Sequence, residues 1–153
     1  VHVDLPEGVD GNISVLRLSR SGTRVVMVID GKLYTGIVQR GASGERSIVN
    51  VLEYAQELGG SVVSAEWRAD GSLIVGTSAP SPVLRVEQDG SSMTALSAGN
   101  ISAPVVAVAA SPSMLYVTDV NAVLQVPASG ADNPIWREVP GLEGMRALPI
   151  IAR

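Results

Sequence analysis

Residues 62–77 read "VVSAEWRADGSLIVGT": an apolar alternation ending at Trp67, a polar turn around Asp70-Gly71, then a denser apolar run. Strict alternation marks a half-buried strand, the Asp-Gly pair marks a tight turn, and the run that follows marks a more deeply buried partner strand. The same order occurs upstream in "ISVLRLSRSGTRVVMVI" at 13–29. Leu18 falls on Trp67 and Gly22 on Gly71, 49 residues apart. A third copy, "VVAVAASPSMLYVTD" at 105–119, places Ala109 on Trp67 at a spacing of 42, with Ser113 where the glycines stood.

Each copy continues with a further strand: "DGKLYTGIV" at 30–38, "PVLRVEQ" at 82–88 and "AVLQVP" at 122–127. Asp30-Gly31 between alternating apolar runs predicts a two-residue type I′ hairpin, which needs positive φ at both central positions. Weaker fourth strands read "RSIVNV", "SMTAL" and "IWREV". Four short antiparallel strands repeated every 40–50 residues or so are the pattern of β-propeller blades. The expected fold is therefore all-β. It is a partial β-propeller, one domain over 1–153, with blades at 13–52, 62–96 and 105–139 whose inner strands start near Ile13, Val62 and Val105. Residues 1–6 read as the outer strand of a blade otherwise missing, and 145–153 as the start of a further blade. For "NVLEYAQEL" at 50–58 a helical turn capped by Asn50, with Glu53 three residues on, is the alternative to a strand followed by a loop.

The core must be aliphatic, because the chain has no Phe and only two Trp and three Tyr. A formal net charge of −4 gives no footprint for nucleic acid. No cysteine is present, so disulfides, thiolate catalysis and Cys-ligated metal are excluded. No apolar run approaches the ~20 residues that span a bilayer as a helix. The chain starts at Val1 with no charged-then-apolar leader, which reads as a processed chain or a piece of a longer one.

Catalytic patterns are sparse. His2 is the single histidine, and "GASGE" at 41–45 lacks the spacing of a nucleophile elbow. The acidic residues of Asp30-Gly31, Asp70-Gly71 and Asp89-Gly90 are each explained as turn formers, and "VDGN" at 9–12 lacks the later acids of a calcium loop. Glu66 and Asp70 bracket Trp67, but strand alternation points Glu66 and Trp67 to opposite faces, and Trp67 reads as packing between blades. No cofactor or metal is expected. Arg17, Arg20 and Arg24 form a small basic cluster able to grip an acidic partner through forked hydrogen bonds, against the plainer reading of a solvated turn. With Tyr54, Asp119 and Asn121 they make up the candidate partner-binding residues. The stretches 78–83 and 126–134 have the composition of recognition loops.

The segments "VDLPEGVDGNISVLRLSRSGTRVVMVIDGKLY" at 3–34 and "VVSAEWRADGSLIV" at 62–75 resemble the C-terminal β-propeller domain of the actinobacterial lipoprotein LpqB family, and the likeness runs in order through the whole chain. The turns depart from the usual Ser-x-Asp-Gly in two copies, with Ser21 in place of Asp in the first and Pro112-Ser113 in place of Asp-Gly in the third. The resemblance implies an envelope lipoprotein held on the extracytoplasmic face of the cell membrane by a lipid anchor upstream of this chain. It further implies a domain related to spore-germination proteins before the propeller, and a partner in the extracytoplasmic part of the sensor kinase MtrB of the MtrA and MtrB two-component system. The leading expectation is a noncatalytic interaction module. A propeller binding cell-wall glycan or a small ligand comes second. A propeller hydrolase comes third, since "ISVLRL", "VVSAEW" and "VVAVA" supply almost no acids or histidines to a channel. An open run of three blades would also expose two apolar faces, so self-association through Val1 to Leu5 and Ala147 to Ile151 is expected.

Overall fold

The computed structural model describes residues 2–3, 5, 7–54, 57–96, 101, 104–129 and 134–145. Its thirteen strands are β1 (His2–Val3), β2 (Ile13–Leu18), β3 (Arg24–Ile29), β4 (Lys32–Arg40), β5 (Arg46–Glu53), β6 (Val62–Trp67), β7 (Leu73–Thr77), β8 (Val83–Val86), β9 (Met93–Ala95), β10 (Val105–Ala110), β11 (Met114–Asp119), β12 (Val123–Pro127) and β13 (Arg137–Glu138). They form three sheets, β2–β5 with β1 on the outer edge, β6–β9 and β10–β13, each antiparallel from its inner strand outward. The fold is a three-blade β-propeller segment whose inner strands start at Ile13, Val62 and Val105.

Every inner strand carries a register shift at the same place, between Ile13 and Val15, Val62 and Ser64, and Val105 and Ala107. A bulge there bends the strand and increases its twist. The repeat is thus one of backbone shape as well as residue pattern. It also corrects the third alignment by one residue. The strand end equivalent to Trp67 is Ala110, not Ala109, because the turn that follows is shorter, 111–113 against 68–72 and 19–23. In the two longer turns Gly22 and Gly71 have φ of 70° and 87°, and their amides donate to Ser19 O and Arg68 O. The short third turn has no glycine, and its Ser111 hydroxyl accepts from the Met114 amide at 3.0 Å, as the Ser19 hydroxyl accepts from the Arg24 amide at 3.1 Å in the first.

Alternation builds the core. On β7, Leu73 and Val75 face the first blade, while Ile74 faces the third. Between blades one and two lie Val15, Val26, Val28, Leu33, Trp67 and their neighbours. Between blades two and three lie Leu115, Val117, Leu124, Val126 and Trp136. Both indoles cross a blade boundary and donate to a backbone carbonyl: Trp67 Nε1 to Arg17 O at 3.1 Å, and Trp136 Nε1 to Leu96 O at 2.7 Å. Trp67 is therefore a packing residue with a polar anchor. Gly76 lets blade three approach, since a Cβ there would stand 2.8 Å from Val105 Cγ1.

Two expectations are corrected. His2 and Val3 are not the outer strand of a missing blade. They pair in parallel with Ser47 and Ile48 of β5, satisfying the edge that an outermost strand leaves open. The outward face of the first blade is not bare either: Val25, Met27 and Ile29 are buried, and Leu5 and Val9 pack against their cluster. Of the self-association contact, the N-terminal part is replaced at His2 and Val3 by this pairing within the chain, and Ala147 to Ile151 lie outside the described residues. Finally, residues 50–53 belong to β5 and no helix occurs among the described residues, so the helical alternative for 50–58 is not adopted there. Asn50, at φ 51°, sits instead in the irregular step of the β4–β5 ladder. The proposed start of a further blade at 145–153 falls, beyond Met145, outside the described residues.

Candidate interaction site between the first two blades

Blade two covers the inner half of the facing sheet of blade one and leaves the outer half open. The result is a cleft of about 620 Å³, with Arg24, Ile37 and Leu52 on one wall and Gln88 and Asp89 on the other. Ladder register explains the first wall: Arg24 is opposite Ile37 and Thr35 opposite Leu52, so all four project toward blade two. Ile37 is 45 % exposed and Leu52 67 %, high values for strand aliphatics. Tyr54 closes the end of the cleft. Its amide donates to Leu33 O, its hydroxyl donates to Ser92 O at 3.3 Å, and its ring lies against Gly90. Burial and then the nearby Asp89 and Glu87 charges raise the Tyr54 pKa, so the phenol stays protonated. Asp89 accepts from the Ser91 amide, and the Ser91 hydrogen bonds, with Arg24 contributing, lower its pKa. The cleft thus joins an apolar floor to a fixed anion and a cation.

The residues singled out from sequence divide into groups. Arg24 and Tyr54 meet in this cleft. Arg20 and Arg24 share the neighbouring depression over the turns 19–23 and 68–71. Arg17 stands apart, its Nε 3.3 Å from Glu66 Oε2 on blade two. Asp119 is buried, and its Oδ1 accepts from the Asn121 and Ala122 amides at 2.7 and 2.8 Å, so its carboxylate shapes the β11–β12 turn rather than offering itself to a partner. Asn121 is exposed on that turn, at the opposite end of the propeller from the turns bearing Arg20.

Sequence reading missed Ile37 and Leu52, whose positions in ordinary strands predict nothing about cover. It also missed Arg68. This side chain is 8 % exposed and spans two blades: Nη2 donates to Ala128 O at 2.8 Å, and Nη1 reaches Ser72 Oγ at 3.2 Å and Asp70 Oδ2 at 3.4 Å. Arg85 joins from β8, 3.5 Å from Asp70 and 3.1 Å from Glu87. Burial lowers the Arg68 pKa, partly offset by the Asp70 charge. Among the described residues no group of three or more His, Cys, Asp or Glu could hold a metal ion.

Fold and surface together define an antiparallel β-propeller segment with an open cleft between its first two blades. The chain belongs to the family described as the lipoprotein LpqB β-propeller domain, whose model matches residues 1–152. It is 50 % identical over 143 residues to a protein named lipoprotein LpqB from Corynebacterium diphtheriae, covering 93 % of this chain and 25 % of that one. Proteins of the same name from Corynebacterium jeikeium and Mycobacterium tuberculosis are 40 % and 38 % identical, over 95 % and 92 % of this chain and 25 % and 24 % of theirs. The chain thus spans about a quarter of the length of these relatives, and their name makes them lipoproteins. Among solved structures, virginiamycin B lyase from Staphylococcus aureus matches with a TM-score of 0.59 at 15 % identity, over 90 % of this chain and 44 % of that one. Puromycin hydrolase matches at 0.56 and 18 %, over 86 % and 22 %. At such identities the likeness is one of fold.

Proposed function

We propose that this propeller is a noncatalytic interaction module of an envelope lipoprotein, held on the extracytoplasmic face of the membrane by an anchor outside this chain. Its partner is the extracytoplasmic part of a two-component sensor kinase of the MtrB type, whose signalling it modulates. Membership of the lipoprotein family over residues 1–152 carries the reading. The site chemistry supports it: Asp89 is held within its own turn, and Glu53 bonds Tyr34 and Lys32, so the cleft's acids serve structure. Exposed aliphatics rimmed by an arginine and aromatics are the ordinary makings of a protein contact. The test is capture of the kinase's extracytoplasmic domain by the chain. Binding is expected, and Ile37→Asp with Leu52→Asp should weaken it at least about tenfold. Absence of binding at high protein concentration would overturn the reading.

The second reading, a propeller that binds cell-wall glycan or a small ligand, is favoured by one observation: Tyr54 and Trp67 both line a cleft of ligand-sized volume. A glycan array distinguishes it from the first.

A further inference from the structure

Among the described residues, only Asp30 and Asn50 combine a side chain with a left-handed backbone, at φ of 48° and 51°. Asp30 is accounted for by its hairpin turn. Asn50 lies inside a strand. In the β4–β5 ladder Thr35 is opposite Leu52 and Ile37 opposite Val49, so the single residue Gly36 faces two, Asn50 and Val51. The extra residue is a bulge. It turns Val51 into the buried cluster on the outward face and leaves Leu52 exposed in the cleft between the first two blades. Asn50 itself is exposed and lines that cleft.

Glycine is the residue that takes a left-handed backbone without strain, and Asn is tolerated there chiefly where its short side chain bonds the local backbone. The Asn50 side chain makes no such bond, nor any other hydrogen bond among the described residues. Its amide serves neither the bulge nor the fold. A second exposed primary amide, that of Gln88, stands on the other wall and is likewise unbonded among the described residues. The charges of the cleft offset one another: Arg24 helps to lower the pKa of Asp89, and Glu53 is paired to Lys32. What remains for a partner is two aliphatic side chains and two neutral amides.

We propose that this cleft receives an extended peptide segment, with an aliphatic side chain seated between Ile37 and Leu52 and its backbone amides paired to Asn50 and Gln88. The chemistry selects that occupant. A primary amide carries both donors and an acceptor, the complement of a peptide group. An extended segment brings N–H and C=O groups that need partners once they leave water, whereas a helix has already paired its own. A charged ligand would find no uncompensated opposite charge here. The inference rests on the reading of the cleft as a protein contact and names the element that enters it, whichever protein supplies that element.

The test is selection from a display library of random linear dodecapeptides by the immobilised chain, followed by titration of the selected sequences. These are expected to share an aliphatic residue and to bind Ile37→Asp at least about tenfold more weakly than the parent. Asn50→Gly removes the amide at a position whose backbone suits glycine, so its melting temperature should stay close to the parent's while affinity falls about tenfold. Ester replacement along the peptide, which removes one backbone N–H at a time, should weaken binding to the parent about fivefold at one position and leave binding to Asn50→Gly unchanged at that same position. Failure to select any peptide overturns the proposal, as does equal binding of the selected peptides to Asn50→Gly and parent. Binding of a glycan in the cleft with no peptide selected also overturns it and favours the second reading of the site. Capture of the kinase domain by parent and Asn50→Gly alike refutes the extended segment and leaves the protein contact standing. Selection of peptides without capture of the kinase domain upholds the segment and assigns it to another protein.

Discussion

Asp70 shows how one side chain serves turn and blade together. Its Oδ1 accepts from the Ser72 amide and hydroxyl at 3.0 and 2.6 Å, and its Oδ2 faces Arg68 and Arg85. Burial pushes its pKa up, but the Ser72 hydrogen bonds and the two guanidinium charges outweigh this and leave it below the ordinary 3.8. A carboxylate with a depressed folded pKa stabilises fully above its unfolded value, and that stability is lost as pH falls through the folded value. Asp70→Asn should therefore be less stable at neutral pH, with a flatter decline than the parent as pH falls below about 3.8. Urea midpoints measured across that range check it; parallel curves would mean the carboxylate contributes nothing. Since Asp70 is 45 % exposed, the effect is modest.

At the scale of elements, the β3–β4 hairpin is the most strongly specified connection. Asp30 and Gly31 have φ of 48° and 78°, as a type I′ turn requires. Gly31 also stands close to the second blade: a Cβ there would lie 3.1 Å from Ser61 Cβ, and the Val62 amide donates to Gly31 O at 2.7 Å. Gly31→Val should cost about 1–2 kcal/mol from the left-handed backbone alone, and more from the crowding against Ser61. A thermal melt unchanged from the parent would show that the turn is not under this constraint. This hairpin and the inner strands were legible because type I′ chemistry and period-two alternation are local signals. The recurrent bulges were not, since each arises from fitting a bent inner strand against its neighbour, and the residues at the bulge, Ser14, Val63 and Val106, are types that sit equally well in a regular strand.

Across the whole molecule, the outward face of blade one is covered, whereas that of blade three is only half buried at Met114, Tyr116 and Thr118. A propeller blade ordinarily packs both faces against neighbours. We expect the isolated chain to associate through this third-blade face, and Tyr116→Glu to abolish the association. Light scattering decides: a parent monodisperse at its monomer mass of 15.8 kDa up to high concentration would refute it. Should the longer protein supply an adjoining blade, restoring that sequence should dissociate the pair.

Alternation, turn residues and spacing by themselves determined the three blades, their inner strands and the packing role of Trp67, because each is written within a few neighbouring residues. Of the candidate site, Arg24 and Tyr54 were legible as residues but not as neighbours. Only the tertiary structure decided that Ile37 and Leu52 stay uncovered between splayed blades, that Asp119 is buried in its own turn, and that His2 and Val3 close the edge of β5. It alone also set Arg40 opposite Arg46. The physical reason is shared: exposure and charge pairing depend on which strands pair and in what register, and residues distant in the chain settle that.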